Sequence, residues 1–312
     1  GKNKTLLMES ITYFLKTPKD EVETRNDHLE MIRELIHLGI SIDASDNNNE
    51  TALFIATRSE DKELISTLFE DDFKVDLNHQ NNQGETVLSI LALNGIRNIK
   101  LIKLYLSKGA TPDLVNKYGK SPIEILIDII LYSENRKPLE FEYEILLNED
   151  AEYANVLEII LKSHNVDINK LNSKHEPLFF DSIVYFNFKL FKLLRVKDIN
   201  LNQRDKDGNN IIFKLMDYND KNLIKDKKLY LNTIKSLINA GVDINAKNNE
   251  GLTALHIAVG EKCEYTIRLL LEMRADCFVT DKQGRSIIHT CIRKNTTKYF
   301  RLLYHHNKEV IN

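Results

Sequence analysis

Apolar and polar positions run down the chain in recurring blocks. A polar turn that contains Gly is followed by a hydroxyl residue and a short apolar run, as in NNEGLTALHIA at 248–258. The other copies are DNNNETALFIA (46–56), NNQGETVLSIL (81–91), NKYGKSPIEIL (116–126), DKDGNNIIFKL (205–215), DKQGRSIIHTC (281–291) and the weaker NSKHEPLFF (172–180). This recurrence indicates a repeat protein, in which one structural unit is copied along the chain.

A second block, apolar with helical spacing, follows the first. In TIRLLLEMRADCFVTD, residues Ile267, Leu270 and Leu271 fall at i, i+3 and i+4, which places them on one stripe of a helix. Comparable stretches occupy 31–46, 101–116, 156–171 and 233–248. Each repeat is therefore predicted as two helices that bury their apolar faces by stacking on neighbouring repeats.

The spacing of the turns supports the repeat. With Asn49, Gly84, Gly119, Lys174, Gly208, Gly251 and Gly284 taken as equivalent, the intervals are 35, 35, 55, 34, 43 and 33 residues. Four of these lie within two residues of 33, and the other two contain insertions. The chain resembles the ankyrin-repeat family, whose repeat carries a T-P-L-H-x-A core that TALHIA at 253–258 matches. The resemblance covers residues 29–306.

The resemblance implies an all-α ankyrin-repeat solenoid of about eight stacked helix-turn-helix repeats, forming a single domain over residues 1–312. The predicted repeats are 1–45, 46–80, 81–115, 116–171, 172–204, 205–247, 248–280 and 281–312. One repeat contains an acidic insertion at 127–156, for which a lengthened helix hairpin with a binding role and a solvated loop are equal alternatives. Another contains a polar insertion at 217–228, which is predicted as a spacer loop.

The turn residues suit this architecture. Gly at the recurring position supplies a positive φ, and Asn49 tolerates the same conformation. The hydroxyl residue two positions later is placed to cap the first helix, and Pro122 and Pro177 are predicted just inside helix starts. The weak copy has Lys174 at the expected Gly position and Glu176 at the expected Thr position, which puts its turn geometry in question.

Composition narrows the function. The net charge is −3, from 43 Lys and Arg against 46 Asp and Glu, so no overall field favours nucleic acid or anionic lipid. No apolar run approaches the roughly 20 residues of a membrane span. The three cysteines are Cys263, Cys277 and Cys291, a sparse odd number that fits a reducing compartment. We therefore predict a cytoplasmic protein, with delivery into a host cytosol as one route.

Catalytic chemistry is not indicated. His256 and His289 occupy the T-A-L-H position, where a structural hydrogen-bonding role is the favoured interpretation. The cysteines lie 14 residues apart without a second nearby ligand, which argues against zinc. No P-loop, G-x-G-x-x-G or G-x-S-x-G motif is found. We predict no enzyme activity, catalytic residue, cofactor or metal, against the alternative that Glu140, Glu142 and Glu144 of the insertion supply carboxylates to a site.

The resemblance implies that a partner protein binds the concave face, at the turn tips and the exposed edge of the first helices. The turn-tip candidates are Asn47, Asn48, Glu50, Asn82, Gln83, Glu85, Lys117, Tyr118, Lys120, Lys206, Asp207, Asn209, Asn249, Glu250, Leu252, Lys282, Gln283 and Arg285, and those at the ends of first helices are Arg58, Arg293 and Lys294. Tyr118 and Leu252 are unusual there, either as contacts for the partner or as shields for a neighbouring turn. The mixed signs favour a protein partner over a polyanion.

Function is predicted at two levels. The general one is a monomeric scaffold or adaptor that binds another protein and neither nucleic acid nor membrane. The narrower one is a host-directed effector of an intracellular pathogen or virus. The alternative is the ankyrin portion of a larger enzyme, or of an F-box-type ubiquitin ligase adaptor, whose other domain is not in this chain; no F-box-like segment follows Leu303.

Overall fold

The regular secondary structure of the described residues consists of helices joined by short turns. The computed structural model describes residues 4–70, 73–93, 99–133, 150–163, 166–195, 198–220 and 227–311. Within those ranges there are sixteen α-helices and no β-strand, which confirms the all-α prediction. The helices are α1 Leu6–Lys16, α2 Val22–His37, α3 Ala52–Ser59, α4 Lys62–Leu68, α5 Val87–Leu93, α6 Ile99–Ser107, α7 Pro122–Ser133, α8 Asp150–Lys162, α9 Phe179–Val184, α10 Phe188–Leu194, α11 Ile211–Asp220, α12 Lys227–Asn239, α13 Ala254–Gly260, α14 Glu264–Glu272, α15 Ile287–Arg293 and α16 Thr297–Ile311.

The helices belong to two compact units. One comprises residues 1–167 and 192–197, and the other comprises 168–191 and 198–312. In the first unit, α1, α3, α5 and α7 pack side by side in one row, and their partners α2, α4, α6 and α8 lie on the outer side. In the second unit, α9, α11, α13 and α15 form the row, with α12, α14 and α16 outside it. The single domain over residues 1–312 stays a prediction.

The stacking follows from the apolar pattern. In α13, Leu255, Ala258 and Val259 are buried, because α13 packs between α11 and α15 and so needs apolar side chains on two sides. In α14, Ile267 and Leu270 are buried on the stripe that faces α13. A helix of seven residues has little stability alone, so these contacts carry most of it.

Helices extend into both predicted insertions. α7 continues to Ser133 and α8 begins at Asp150, so the two ends of the 127–156 segment are helical. Residues 134–149, with Glu140, Glu142 and Glu144, lie outside the described residues. The spacer-loop prediction for 217–228 is wrong at both ends, because α11 runs to Asp220 and α12 begins at Lys227. The apolar stripe of α12 starts at the buried Tyr230, which extends that helix toward its N-terminus; residues 221–226 lie outside the description.

A buried ion pair joins the first two helix pairs. Arg25 of α2 is buried, and its Nη2 lies 2.6 Å from Oδ2 of Asp61. Asp61 also caps α4 by accepting a hydrogen bond from the backbone N–H of Leu64 at 3.1 Å. The guanidinium stacks over the ring of Phe14 at 4.0 Å. One side chain thus holds α1, α2 and α4 together.

Candidate functional site

Seven turns of identical design precede the first helices. Each begins with Asp or Asn, whose side-chain Oδ1 accepts hydrogen bonds from the backbone N–H groups two and four residues later. For Asp281 both donors, Gln283 and Arg285, lie at 2.9 Å. The seven initiating residues are Asp46, Asn81, Asn116, Asn172, Asp205, Asn248 and Asp281. A carboxylate or amide oxygen can organise a turn in this way because it replaces the backbone acceptor that a tight turn lacks.

The fourth residue of each turn has a positive φ. Gly84, Gly119, Gly208, Gly251 and Gly284 occupy it with φ between 70° and 80°, and Asn49 has φ 57°. In the weak copy the residue is His175, with φ 59°, and not Lys174 as predicted from the spacing. The turn there keeps the common geometry, since its N–H donates to the carbonyl oxygen of Asn172 at 2.8 Å.

The helix starts after the turns differ in their caps. Pro122 is the first residue of α7, as predicted, whereas Pro177 lies two residues before α9 and not inside it. In α13, Nδ1 of His256 accepts from the backbone N–H of Thr253 at 3.2 Å, and His289 does the same for Ser286 at 3.1 Å. Burial lowers the pKa of His256, which keeps the imidazole neutral near pH 7. The histidine is therefore a capping residue.

Backbone hydrogen bonds tie successive turns together. In the first unit, the N–H of Asn82 donates to the carbonyl oxygen of Asn48 at 2.9 Å, and that of Lys117 to Gln83 at 2.8 Å. In the second unit, the equivalent bonds are Asn249 to Asp207 at 2.9 Å and Lys282 to Glu250 at 3.1 Å, and Lys206 donates to His175, one position further along its turn, at 3.1 Å. The tips are held as a ladder, to which the side chains of Asn82 and Asn249 also contribute by donating to the carbonyl oxygens of Asn47 and Lys206.

The first unit presents most of its predicted contact residues. Asn47, Asn82, Gln83, Lys117, Tyr118 and Arg58 are exposed, and Asn48, Glu50 and Glu85 are half-buried. Lys120 is the exception: it is only 4% exposed, and its Nζ lies 3.0 Å from Oδ2 of Asp128 on α7. Its predicted place at the binding surface is therefore wrong, because the lysine stem is covered by the first helix.

Two ion pairs in the first unit link a turn to the helix that follows it. Arg58 binds both carboxylate oxygens of Glu50, at 2.6 and 2.5 Å, and this contact lowers the pKa of Glu50. Lys120 and Asp128 form the same link with the charges exchanged. Each joins the fifth residue of a turn to the residue eight positions later. We call this link a turn-to-helix strut.

The second unit places its candidates differently. Lys206, Asp207, Asn249, Glu250, Lys282, Gln283, Arg285, Arg293 and Lys294 are exposed, and Asn209 and Leu252 are half-buried. Arg285 bends back onto its own turn, with Nε 2.8 Å from Oδ2 of Asp281. The stacked turns 205–209 and 248–252 bring Asp207, Glu250 and Leu252 to the mouth of a groove along α11 and α13, with a volume of about 670 Å³.

The groove has lining residues that the sequence reasoning missed. Phe213 and Asp217 of α11, Ile257 of α13 and Glu261 all face it, together with Tyr265. Phe213, Asp217, Ile257 and Glu261 lie three to eight positions after the residue that precedes the first helix, Asn210 or Thr253, and this spacing is a signal that the sequence carries. Tyr265 lies on α14 and has no such signal.

Cys263 lines the same groove and is half-buried, whereas Cys277 and Cys291 are buried. Burial raises the pKa of the Cys277 thiol to about 11 and raises that of Cys291. Because the thiolate is the reactive form, a maleimide at pH 8 should label Cys263 at least tenfold faster than the other two. Peptide mass mapping of briefly labelled native protein measures this, and comparable labelling at Cys277 would contradict the packing described.

Metal and membrane features are absent from the residues that the structure describes. Across those ranges no three side chains of His, Cys, Asp or Glu come together in a way that would hold a metal ion. None of the described helices combines the length and apolar character of a bilayer span.

Comparisons with known proteins agree with the helix pairs and turns. Residues 224–312 match the family model "Ankyrin repeats (3 copies)", and residues 23–69 match "Ankyrin repeats (many copies)". The crystal structure of the ankyrin repeat domain of Bcl-3, of the IkappaB protein family, superposes with a TM-score of 0.54 at 17% identity, covering 78% of this chain and 95% of that one. At this identity the likeness shows the fold alone.

Three relatives show how far the similarity extends. The mouse B-cell lymphoma 3 protein homolog is 38% identical over 78 residues, which are 25% of this chain and 17% of that protein. An ankyrin repeat protein of Acanthamoeba polyphaga mimivirus is 23% identical over 84% of this chain and 33% of its own length. One of Rickettsia felis is 24% identical over 92% of this chain and 73% of its own. The chain therefore contains ankyrin repeats over residues 23–69 and 224–312, and its fold is similar to that of solved ankyrin-repeat structures over most of its length.

Proposed function

We propose that the chain is a protein-interaction scaffold or adaptor, which binds a partner protein through its turn tips and the adjoining edge of the first helices. The ladder of backbone hydrogen bonds between tips carries this proposal. It holds neighbouring tips in a fixed register, as between Asn48 and Asn82 or Glu250 and Lys282. A surface that is already ordered loses little conformational entropy when a partner binds.

Tyr118 is the strongest contact candidate in the first unit. Its side chain stands at the tip of the third turn and is 46% exposed. Nζ of Lys117 lies 5.0 Å from the centroid of its ring, a distance at which a cation is attracted to the ring face. A large, ordered aromatic residue beside a cation is typical of interface hot spots.

The charges on the tips favour a protein as the partner. In the second unit Lys206 and Asp207 are adjacent on one tip, and Glu250 and Lys282 lie on the next two. Alternating charges attract a partner surface that carries the complementary pattern of charges, and they repel neither acidic nor basic proteins as a class. A nucleic acid would instead require a continuous basic stripe.

The relatives support a narrower proposal about the setting. Two of them come from a giant virus of an amoeba and from Rickettsia felis, and they align with most of this chain. We therefore propose that the partner is a host protein and that the chain acts in a cytosol, as a monomer. The mimiviral match spans 33% of that protein, so an additional domain outside the chain, enzymatic or F-box-like, stays the alternative.

Removing Tyr118 and Lys117 together should weaken partner binding by at least tenfold, about 1.4 kcal/mol. The measurement is affinity capture from host-cell extract followed by titration of the identified partner against wild type and Tyr118→Ala/Lys117→Ala. The matched control is Tyr13→Ala/Lys16→Ala, since Tyr13 is also exposed and carries Lys16 at 5.7 Å from its ring but lies on α1, away from the turns.

Equal losses in the two double variants would show that the turn tips have no special role. If the partner binds both variants as tightly as it binds wild type, its binding surface does not include the third turn. Thermal unfolding of each variant separates lost binding from lost folding.

A further inference from the structure

The groove along α11 and α13 lies beside two turns that lack the turn-to-helix strut found at two of the three turns of the first unit, where the third turn pairs Glu85 with Leu93. In the first unit, Glu50–Arg58 and Lys120–Asp128 bridge from turn to helix. The equivalent positions in the second unit are Asn209 with Asp217, and Leu252 with Gly260, neither of which is a pair of opposite charges.

Gly260 opens the space that a strut would fill. A Cβ added to this glycine would meet no atom within 4 Å, so the end of α13 borders empty volume. The equivalent residues in the first unit, Arg58 and Asp128, fill that position with side chains that reach back to the turn. Neither turn beside the groove carries a strut, and the groove volume of about 670 Å³ lies in the range of ligand-binding clefts.

Leu252 gives the groove an apolar wall. It is the fifth residue of its turn, a position that holds a polar residue in the other six turns: Glu50, Glu85, Lys120, Glu176, Asn209 and Arg285. Phe213, Met216 and Ile257 continue this apolar surface along the two helices. Contiguous apolar surface of this kind, bordered by polar residues, is typical of ligand-binding grooves.

The rim of the groove is acidic. Asp207, Glu250 and Glu261 are exposed, and none of them forms an ion pair with a described residue. The lining cation, Lys214, is bonded to Glu176 of the preceding turn, which leaves the surplus of negative charge in place. Lys227 stacks on the ring of Tyr265 at 3.9 Å, so that ring is already engaged by a cation. A ligand that fits must bring positive charge with apolar neighbours.

We propose that this groove binds a segment of the partner protein in which Arg or Lys side chains alternate with large apolar ones. The apolar side chains would cover Leu252 and Phe213, and the cations would reach Asp207, Glu250 and Glu261. This inference rests on the proposed scaffold function and names the chemistry of its partner at one site. The second unit then has a binding site of its own, in addition to the Tyr118 surface of the first unit.

The test uses the full chain and fluorescein-labelled heptapeptides Gly-Leu-Arg-Leu-Arg-Leu-Gly, with Glu for Arg or Ser for Leu in two control peptides. Fluorescence anisotropy at low and physiological salt measures affinity. The Arg–Leu peptide should bind at least tenfold more tightly than either control. Its binding should weaken as salt rises, because exposed charges are screened. It should also slow maleimide labelling of Cys263.

Two variants locate the binding. Glu250→Gln/Glu261→Gln removes two rim charges with little change of shape and should lower the affinity for the Arg–Leu peptide at least tenfold. Leu252→Glu/Gly260→Arg places the Glu50–Arg58 strut at the groove and should lower that affinity by as much. The helix α13 should stay folded in this variant, since arginine favours helix over glycine. The control is Glu272→Gln, which removes a charge from the outer helix α14 and should leave affinity unchanged.

Several outcomes would overturn the groove proposal. These are no binding at millimolar protein, equal binding of the Glu–Leu peptide, or an affinity that both groove variants leave intact. If the partner captured through Tyr118 still binds in those cases, the scaffold function stands and the groove inference is wrong. If the peptide binds in the groove but no partner depends on Tyr118 and Lys117, the groove stands and the proposed surface at the third turn is wrong.

Discussion

Val259→Asp should destabilise the protein by about 4 kcal/mol or more, whereas Ile292→Asp should cost less than about 1 kcal/mol. Val259 is 0% exposed in α13, and Ile292 is 73% exposed in α15. The two residues lie 33 positions apart and occupy the same place in successive repeats. The first substitution buries an unpaired carboxylate, while the second leaves it in water.

The same contrast between a buried and an exposed residue holds at four equivalent positions of two successive repeats. Leu255, Val259, Ile267 and Leu271 are at most 4% exposed, because α15 and α16 cover them. Their equivalents Ile288, Ile292, Phe300 and Tyr304 are between 36% and 73% exposed. The same residue types at the same repeat positions therefore differ in energetic importance only through what packs on them.

Urea unfolding followed by circular dichroism measures the two free energies of unfolding. Val259→Ala and Ile292→Ala serve as controls that remove side-chain volume without adding charge, and they should preserve the order. If Ile292→Asp destabilises as strongly as Val259→Asp, then Ile292 is covered in solution and the exposed face described here is an interface.

Gly251→Ala should lower the free energy of unfolding by about 3 kcal/mol or more, and Gly241→Ala should lower it by about 1 kcal/mol. Both glycines have positive φ, 80° and 97°, so both substitutions strain the backbone. A Cβ at Gly251 would also lie 2.7 Å from the backbone nitrogen of Lys282, whereas one at Gly241 meets no atom within 4 Å. Only the first substitution pushes two neighbouring turns apart, which breaks the hydrogen bond from Lys282 to Glu250.

Thermal unfolding of the two alanine variants checks this, with the difference between them as the measured quantity. Strain from φ is common to both and cancels, so the difference reports the close approach of the turns. Equal losses would mean that the turn ladder adds nothing beyond backbone conformation. Asn49 and His175 occupy the same position with φ of 57° and 59°, so a side chain is tolerated there at a smaller φ.

Much of the architecture was readable from residue order. The polar turn, the glycine and the apolar blocks are local signals repeated many times, and repetition makes each copy support the others. Helix pairs, capping residues such as Thr253 and C-terminal glycines such as Gly109 and Gly241 follow from these local preferences. Among the predicted turn-tip residues, the exposed position of Tyr118 and the half-buried one of Leu252 are now described, and their role in binding stays a prediction.

Other features depended on which side chains meet across repeats. His175 rather than Lys174 takes the positive φ, because the turn is counted from the hydrogen bonds of Asn172, which spacing alone does not reveal. Arg25 is buried because Asp61 and Phe14 happen to lie opposite it. Lys120 is covered because Asp128 completes a strut.

Residue order specifies the repeat, since a turn and two short helices depend on residues that lie close together in the chain. The groove follows from tertiary packing, because carboxylates and apolar side chains from two repeats line it together, among them Asp207, Phe213 and Leu252. Local preferences act over a few residues, so they can be predicted from the order of residues in the chain. Burial and charge at a surface depend on neighbours about 33 residues away, and packing alone brings those neighbours together.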